Sequence, residues 1–522
     1  MTTDTEPILL TDVRVFDGAA DRGGRLAVLL RGGIIEAVAP AADVSAPGVR
    51  RIDLDGAFVL PGLTDSHMHV ELLGQGMLDV DLFDCGTPGQ CADRVAARAA
   101  DTPAGEWVVA RGWRKSIWPT DDFPTAAILD EKVAGRPVYC KSFDGHCAWV
   151  NSAAMARAGV TADTPDPDGG EIARDEAGRP TGVFKENAIG LIRPLIPQPT
   201  EPQQREAILR AQRHLNELGI AGVHSMADLA VHQRAAALAR EGELTLRFSA
   251  CCRPGEEADA VRARAAARGG DLARLVGVKM FLDGTMNTQS AAMFEPFTGG
   301  DSVGILTQAP EAIREKVAAA TARGLPSFIH AIGDRAVSTA LDAIESAGGT
   351  GLHHRIEHAQ VVRVEDVRRM ARLGVAASVQ PCHILTDIAV SEKYLGPRAG
   401  RSFVLREMLD AGVMLAFGSD APVVPADARH SLYAAVARRN LAGSPPAGWH
   451  AEQRVTIAEA LRAFTLGAAE SIGAAGALGR VAPGHAADLT VFAEDPLAAA
   501  PSELLTLTVR MTLVAGRIVH DA

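Results

Sequence analysis

The chain has 522 residues, 47% of them apolar, enough for a large core, and at about 150 residues per domain the length alone suggests roughly three domains. Its 52 basic and 64 acidic side chains leave a net charge of −12 with no long block of either sign, which excludes a polybasic surface for nucleic acid or for an anionic membrane. No basic leader and no uncharged apolar run of about 18 residues is present, and the seven cysteines form no Cys-x-x-Cys pair, so reduced thiols in a cytoplasmic protein are expected.

The first sixty residues read as short strands, at 8–16, 26–31, 34–38 and 58–60, separated by glycine-rich turns. The last forty are alike, with runs at 487–492 and 507–519, the second folding back around Gly516. Neither end holds enough strands for a stable sheet alone. Residues 1–60 and 470–522 are therefore expected to join in one composite β-sandwich domain. Between them, residues 61–469 alternate apolar strands with Ala/Arg/Glu-rich helices, the strands falling at 59–69, 222–225, 246–251, 276–282, 327–330, 355–358, 376–380 and 413–418. From Lys279 to Asp420 the spacing is about 35 residues per unit, close to the ~31 of an eightfold β/α barrel. Between His67 and Val223 about 125 residues are in excess of one such unit. The fold class is thus α/β, a distorted TIM barrel, with an insertion at about 75–200 after the first strand, expected to cover substrate.

The sharpest local signal is Pro61-Gly-Leu-Thr-Asp-Ser-His67-Met-His69. Residues two apart in a strand share a face, so His67 and His69 converge at the strand's C-terminal end, a spacing suited to a divalent metal. An isolated His-x-His also arises by chance. His330, His358 and Asp420 each close a later strand; any one of them is as readily a cap or a satisfied core residue, but five such groups on four strand ends are not. Lys279 closes another strand, where a buried ammonium is costly. It must pair with Asp283 or Asp420, lose its proton, or be carbamylated by carbon dioxide into a bridge between two metals, and the sequence leaves these alternatives open.

Gly300-Asp-Ser-Val-Gly304 matches a nucleophile elbow but lacks the preceding strand, so Ser302 reads as a loop serine. Trp113, His146, Trp149, Asn187, Asn287 and His383 lie in the insertion or on strand-end loops, where substrate is expected, although packing or loop capping accounts for each equally well. His353, His354, His430, His450 and His485 have no such placement, and nothing lowers the pKa of Cys382.

The chain resembles the amidohydrolase superfamily, and within it amidohydrolase family 3, the YtcJ-like enzymes that include N-substituted formamide deformylases. The resemblance runs nearly end to end. It rests on Leu60-Pro-Gly-Leu-Thr-Asp-Ser-His-Met-His69, Asp144-Gly-His-Cys-Ala-Trp-Val-Asn-Ser152, Val278-Lys-Met-Phe-Leu-Asp-Gly284, His330-Ala-Ile-Gly-Asp-Arg-Ala336, Arg355-Ile-Glu-His-Ala-Gln360, Gly418-Ser-Asp-Ala-Pro422 and Gly479-Arg-Val-Ala-Pro-Gly-His-Ala-Ala-Asp488. It implies that His67, His69 and Asp420 hold the more buried metal, that His330 and His358 hold the second, and that carbamylated Lys279 bridges them. The chain departs from the family at Asp283-Gly-Thr-Met-Asn-Thr-Gln-Ser290, so a relative's specificity is not transferable.

The expected function is hydrolysis of a non-peptide C–N bond, in an N-substituted amide or N-acyl amine, by a metal-activated hydroxide, with Asp420 as the base. The expected cofactors are two divalent ions, zinc first and manganese or iron as alternatives, with carbon dioxide for the lysine. Lactone, ester or carbamate hydrolysis, deamination and decarboxylation are the alternatives on the same site, and a non-catalytic scaffold is the remaining one. The expected partners are a small-molecule substrate and a second copy in a homodimer, with neither nucleic acid nor membrane.

Overall fold

The computed structural model describes residues 6–44, 46–103, 105–120, 122–142, 145–266, 272–348 and 351–522. Eight parallel strands follow one another around a barrel: Leu63–Met68, Ile220–Ser225, Arg247–Cys252, Ala273–Phe281, Ser327–Ala331, Arg355–His358, Ala376–Val379 and Leu415–Phe417. Helices cover their outer face, so the strands are buried on both sides almost throughout. The helices start and stop on local signals. Asp228 accepts from the Val231 amide at the start of Leu229–Glu241, and Gly242 ends it with a left-handed backbone.

The seam between the eighth strand and the first is closed by polar groups. The Asp420 amide donates to the His67 carbonyl (2.7 Å) and the His69 amide to the Ala421 carbonyl (2.8 Å). Ser419 donates its amide and its hydroxyl to the Asp65 carboxylate, at 3.1 and 2.5 Å. The approach is possible because Gly418 lacks a side chain: a Cβ there would lie 2.5 Å from the His67 nitrogen and 2.9 Å from Asp65 Oδ1.

Both ends of the chain enter one sheet, in the order Arg517–Asp521, Val509–Val514, Leu489–Phe492, Phe58–Pro61, Ile8–Val15, Leu26–Arg31, Ile34–Ala39, with Arg50–Asp53 alongside Ile8–Val15. The single strand expected at 59–69 is two. Pro61-Gly62 breaks it: the Gly62 amide bonds to the Asp488 carbonyl, and a Cβ at Gly62 would sit 2.5 Å from that of Ala221. The chain thereby steps from the terminal sheet into the barrel. Thr490 stitches the two, accepting from the Leu63 amide and donating to the Gly219 carbonyl. Sheet and barrel form one compact unit, Met1–Glu71 with Ala211–Ala522. Among the described residues no helix is long and apolar enough to cross a membrane.

Leu72–Arg210 is a second compact unit with its own six-stranded sheet: Gly170–Arg174, Pro180–Glu186, Cys147–Val150, Val138–Ser142, Val108–Trp113, Val80–Asp81. Its core gathers Cys91, Val95, Leu129, Cys140, Trp113, Trp118 and Trp149. The expectation that Trp113 and Trp149 contact substrate is corrected here. Both side chains are buried in this core, their rings 6.4 Å apart and edge-on, and their indole N–H groups donate to the carbonyls of Cys140 (2.8 Å) and Thr125 (2.9 Å). A buried indole with a satisfied N–H has no face left for a ligand. Asn151, from the same sequence motif, caps the helix Ser152–Arg157, while Asp144 lies outside the described residues.

Two outcomes follow from these contacts. Gly418→Ala should lower the urea midpoint, by overpacking worth about 1–3 kcal/mol, and should weaken metal retention with it; a variant with unchanged stability and metal content would contradict the seam geometry. Trp149→Ala should destabilise the 72–210 unit by about 3–5 kcal/mol, read as rapid proteolysis within it, without re-ranking substrates; normal protease resistance with altered substrate preference would restore the ligand-contact reading.

Candidate metal centre

The barrel strands deliver their terminal side chains to one place. A nitrogen of His67, a nitrogen of His69 and a carboxylate oxygen of Asp420 lie within 4.8 Å of one another. Asp420 Oδ1 is 3.5 Å from His67 Nε2 and 3.4 Å from His69 Nε2. The other two histidines continue the cluster: the ring centres of His67 and His358 are 4.7 Å apart, and those of His358 and His330 4.5 Å. Two of these positions carry strained backbone. His358 (φ 72°) and Asp420 (φ 64°) are left-handed, at a cost of about 1–3 kcal/mol each that the surrounding ladder must sustain. At His358 the turn breaks the alternation of the strand, so that Glu357 and His358, adjacent in sequence, both face the His67 ring.

Hydrogen bonds behind the rings decide which nitrogen is free. His67 Nδ1 donates to Glu357 Oε2 (2.6 Å), His358 Nδ1 to Gln380 Oε1 (2.8 Å), and His330 Nε2 to the Gly284 carbonyl (3.2 Å). These partners leave Nε2 of His67 and His358, and Nδ1 of His330, with a lone pair. Burial holds the rings neutral: it pushes His67 and His358 well below the usual imidazole range and His330 down to about 4. Asp420 behaves oppositely. Burial opposes its charge, but the surrounding histidines, foremost a hydrogen bond from His69, outweigh that and keep it below the ordinary carboxylate range.

Lys279 is 3% exposed and its Nζ has no hydrogen-bond partner among the described residues; it lies over the Phe281 ring, 4.7 Å from its centre. Asp283, one of its expected counter-ions, is instead occupied by the amides of Ala292, Ile332 and Gly333. Burial lowers the lysine's pKa, favouring the free amine. Neutral imidazoles with one unshared lone pair each, an ionised carboxylate and an orphaned amine fit divalent cations better than they fit a packed core.

His383 is half-buried on the segment after the seventh strand, its Nε2 donating to the Ser419 carbonyl (3.2 Å), beside Asp420 and His358. Asn287 is exposed on the loop after the fourth strand. The other two candidates belong to the 72–210 unit, where His146 is exposed and paired with Glu186 (3.0 Å) and Asn187 bonds to the Asp168 carbonyl. Ser302 sits in a loop, as its missing strand context requires.

Several residues that matter here lie within the sequence motifs but are given no role of their own there. Glu357 and Arg355 are fully buried and paired, and Asp283 pins the loop that carries Asn287 to the end of the fifth strand. A charged residue inside a strand that must be buried is the one available signal, and Arg355-Ile-Glu357 shows it twice.

The amidohydrolase family model Amidohydro_3 matches residues 50–520. The Bacillus subtilis (strain 168) protein YtcJ is 30% identical over 490 residues, 91% of each chain. The N-substituted formamide deformylase of Arthrobacter pascens is 28% identical over 540 residues, 98% of each chain. Among solved structures, an uncharacterised metal-dependent hydrolase from Pyrococcus horikoshii superposes with a TM-score of 0.79 at 26% identity, covering 95% of this chain and 99% of that one. With a family match across nine-tenths of its length, and histidines, lysine and aspartate gathered at the strand ends of its barrel, this chain belongs to the metal-dependent amidohydrolase family.

Proposed function

We propose that this protein hydrolyses the C–N bond of a non-peptide amide, an N-substituted amide or N-acyl amine, with two divalent ions, zinc in the first instance, held by His67, His69 and Asp420 on one side and by His330 and His358 on the other. The observation that carries the reading is the buried Lys279 Nζ, without a hydrogen-bond partner among the described residues, in a barrel whose strand ends also carry His67, His69, His330 and His358. As a free amine it adds carbon dioxide and releases one proton, which turns a costly buried cation into an anionic bridge suited to two cations. When bound, the ions supply a polarised carbonyl and a water acidic enough to ionise near neutral pH. The chain's own groups do the rest. Asp420, ionised, takes the water's proton and returns it to the departing amine; His383, beside Asp420, and Asn287, exposed on the loop after the fourth strand, are the groups assigned to contact the substrate. The seven free cysteines fit a cytoplasmic setting.

Metal-stripped protein should be inactive on a panel of amides, N-acyl amines, carbamates, lactones and dipeptides. Zinc should restore turnover of the non-peptide amides, and only when bicarbonate is present. Activity in verified metal-free protein would overturn the metal reading, recovery without carbon dioxide the carbamate, and preference for a lactone or dipeptide the substrate class.

Asp420→Asn preserves shape and a ligating oxygen while removing basicity. It should fold, keep most of its zinc and lose kcat by roughly 10²–10⁴-fold. Near-normal kcat would place the proton transfer elsewhere, and loss of zinc would make Asp420 a ligand only.

A further inference from the structure

The groups behind the candidate ligands are unequal. His67 is backed by a carboxylate, Glu357, whereas His358 is backed by the neutral amide of Gln380 and His330 by the backbone carbonyl of Gly284. Glu357 is itself gripped. Arg355 reaches Oε1 at 2.9 Å and Oε2 at 3.0 Å; its Nη2 is also close to the Ser66 carbonyl (2.6 Å) and Ser378 Oγ (2.7 Å), and its Nη1 to His224 Nδ1 (2.8 Å) and Ser471 Oγ (3.3 Å). Through Ser66, the same guanidinium holds the backbone that carries His67.

Stability does not call for this arrangement. Both side chains are wholly buried, and a buried ion pair of this kind is often matched or bettered by apolar residues of the same volume. Its specific effect falls on the imidazole: a carboxylate on Nδ1–H fixes the tautomer and raises the electron density at Nε2, so the ring binds a cation more strongly than one backed by a neutral acceptor. Among the described residues only His67 is hydrogen-bonded to a carboxylate; Asp283 Oδ1 lies 3.4 Å from His330 Nε2, but that carboxylate is taken up by three backbone amides and makes no hydrogen bond to the ring.

We propose that Glu357, held by Arg355, is a positioning residue that makes the His67–His69–Asp420 position the tighter of the two, the His330–His358 position being the weaker and the second to fill. This inference rests on the two-ion reading above and is tested apart from it.

Metal-free full-length protein titrated with zinc against a chromophoric chelator should show two equivalents, with affinities at least about tenfold apart. Crystals of the wild type given one equivalent should show anomalous density among His67, His69 and Asp420. Glu357→Gln keeps the shape and an acceptor for His67 but removes the charge; it should weaken the tight step by about 10–100-fold and leave the weak one within about twofold. A purely structural role would instead lower the thermal midpoint of the metal-free variant and leave its zinc affinity alone. The inference is overturned by a tight step within about twofold of wild type in Glu357→Gln, or by first-equivalent density at His330 and His358. Should the variant fail to fold, the wild-type density decides by itself. Uptake of fewer than two equivalents by the wild type would count against the two-ion reading rather than against Glu357.

Discussion

One buried carboxylate joins the fold to the site. Asp65 accepts from the His67 amide (3.1 Å) and from the amide and hydroxyl of Ser419, so one side chain reinforces the backbone bonds that join the first and eighth strands. His67 and Asp420 flank that tie, each one or two residues from it. The distance between the two candidate ligands is therefore set by the closure of the barrel rather than by side-chain flexibility, and Gly418 gives the backbone the room to come that close. A site built on such a seam is preorganised in the sense that metal binding requires: the ordering cost is met when the barrel forms.

Burial then sets the chemistry. In water an imidazole is half-protonated near pH 6.5 and a lysine is a cation. Removed from solvent, His67, His330 and His358 stay neutral, and Lys279 is driven toward the amine. All four shifts share a sign, disfavouring positive charge. They leave a site short of cations and containing an anion, Asp420, which is the electrostatic condition a pair of divalent ions would satisfy.

The parts of the fold and site that were legible in the sequence share a physical reason. His67, His69, His330, His358, Lys279 and Asp420 all stand at or near the ends of short apolar runs, where strand periodicity fixes direction and barrel topology fixes meeting place. Glu357 was not legible as a partner, because the ring it orients is 290 residues away and only the closed barrel joins them. The break at Pro61-Gly62 is written in the sequence as a turn signal inside a stretch, 59–69, that otherwise reads as one strand. The sheet of the 72–210 unit was hidden for a different reason: its strands are short, and their order depends on pairings between distant segments.

The two tryptophans show where aromatic character misleads. Trp113 and Trp149 sit in a segment expected to lie over the barrel, and their size suits a ligand wall. Yet the acceptors of their indole N–H groups are the backbone carbonyls of Cys140 and Thr125, which no motif announces. A unit of fewer than 150 residues that builds a sheet of its own needs bulky side chains to fill its core, and these are the residues it uses. Smaller polar and aromatic groups stand beside the candidate ligands on the barrel itself. The exposed ring of Phe281 lies beside Lys279 and His330, Asn287 rides on the loop that Asp283 pins, and His383 stands next to Asp420. That loop is also the stretch in which the sequence departs from the family pattern, so the candidate ligand Lys279 stands near the end of the strand Ala273–Phe281 and the variable residues follow directly after it, with Asp283 pinning the junction.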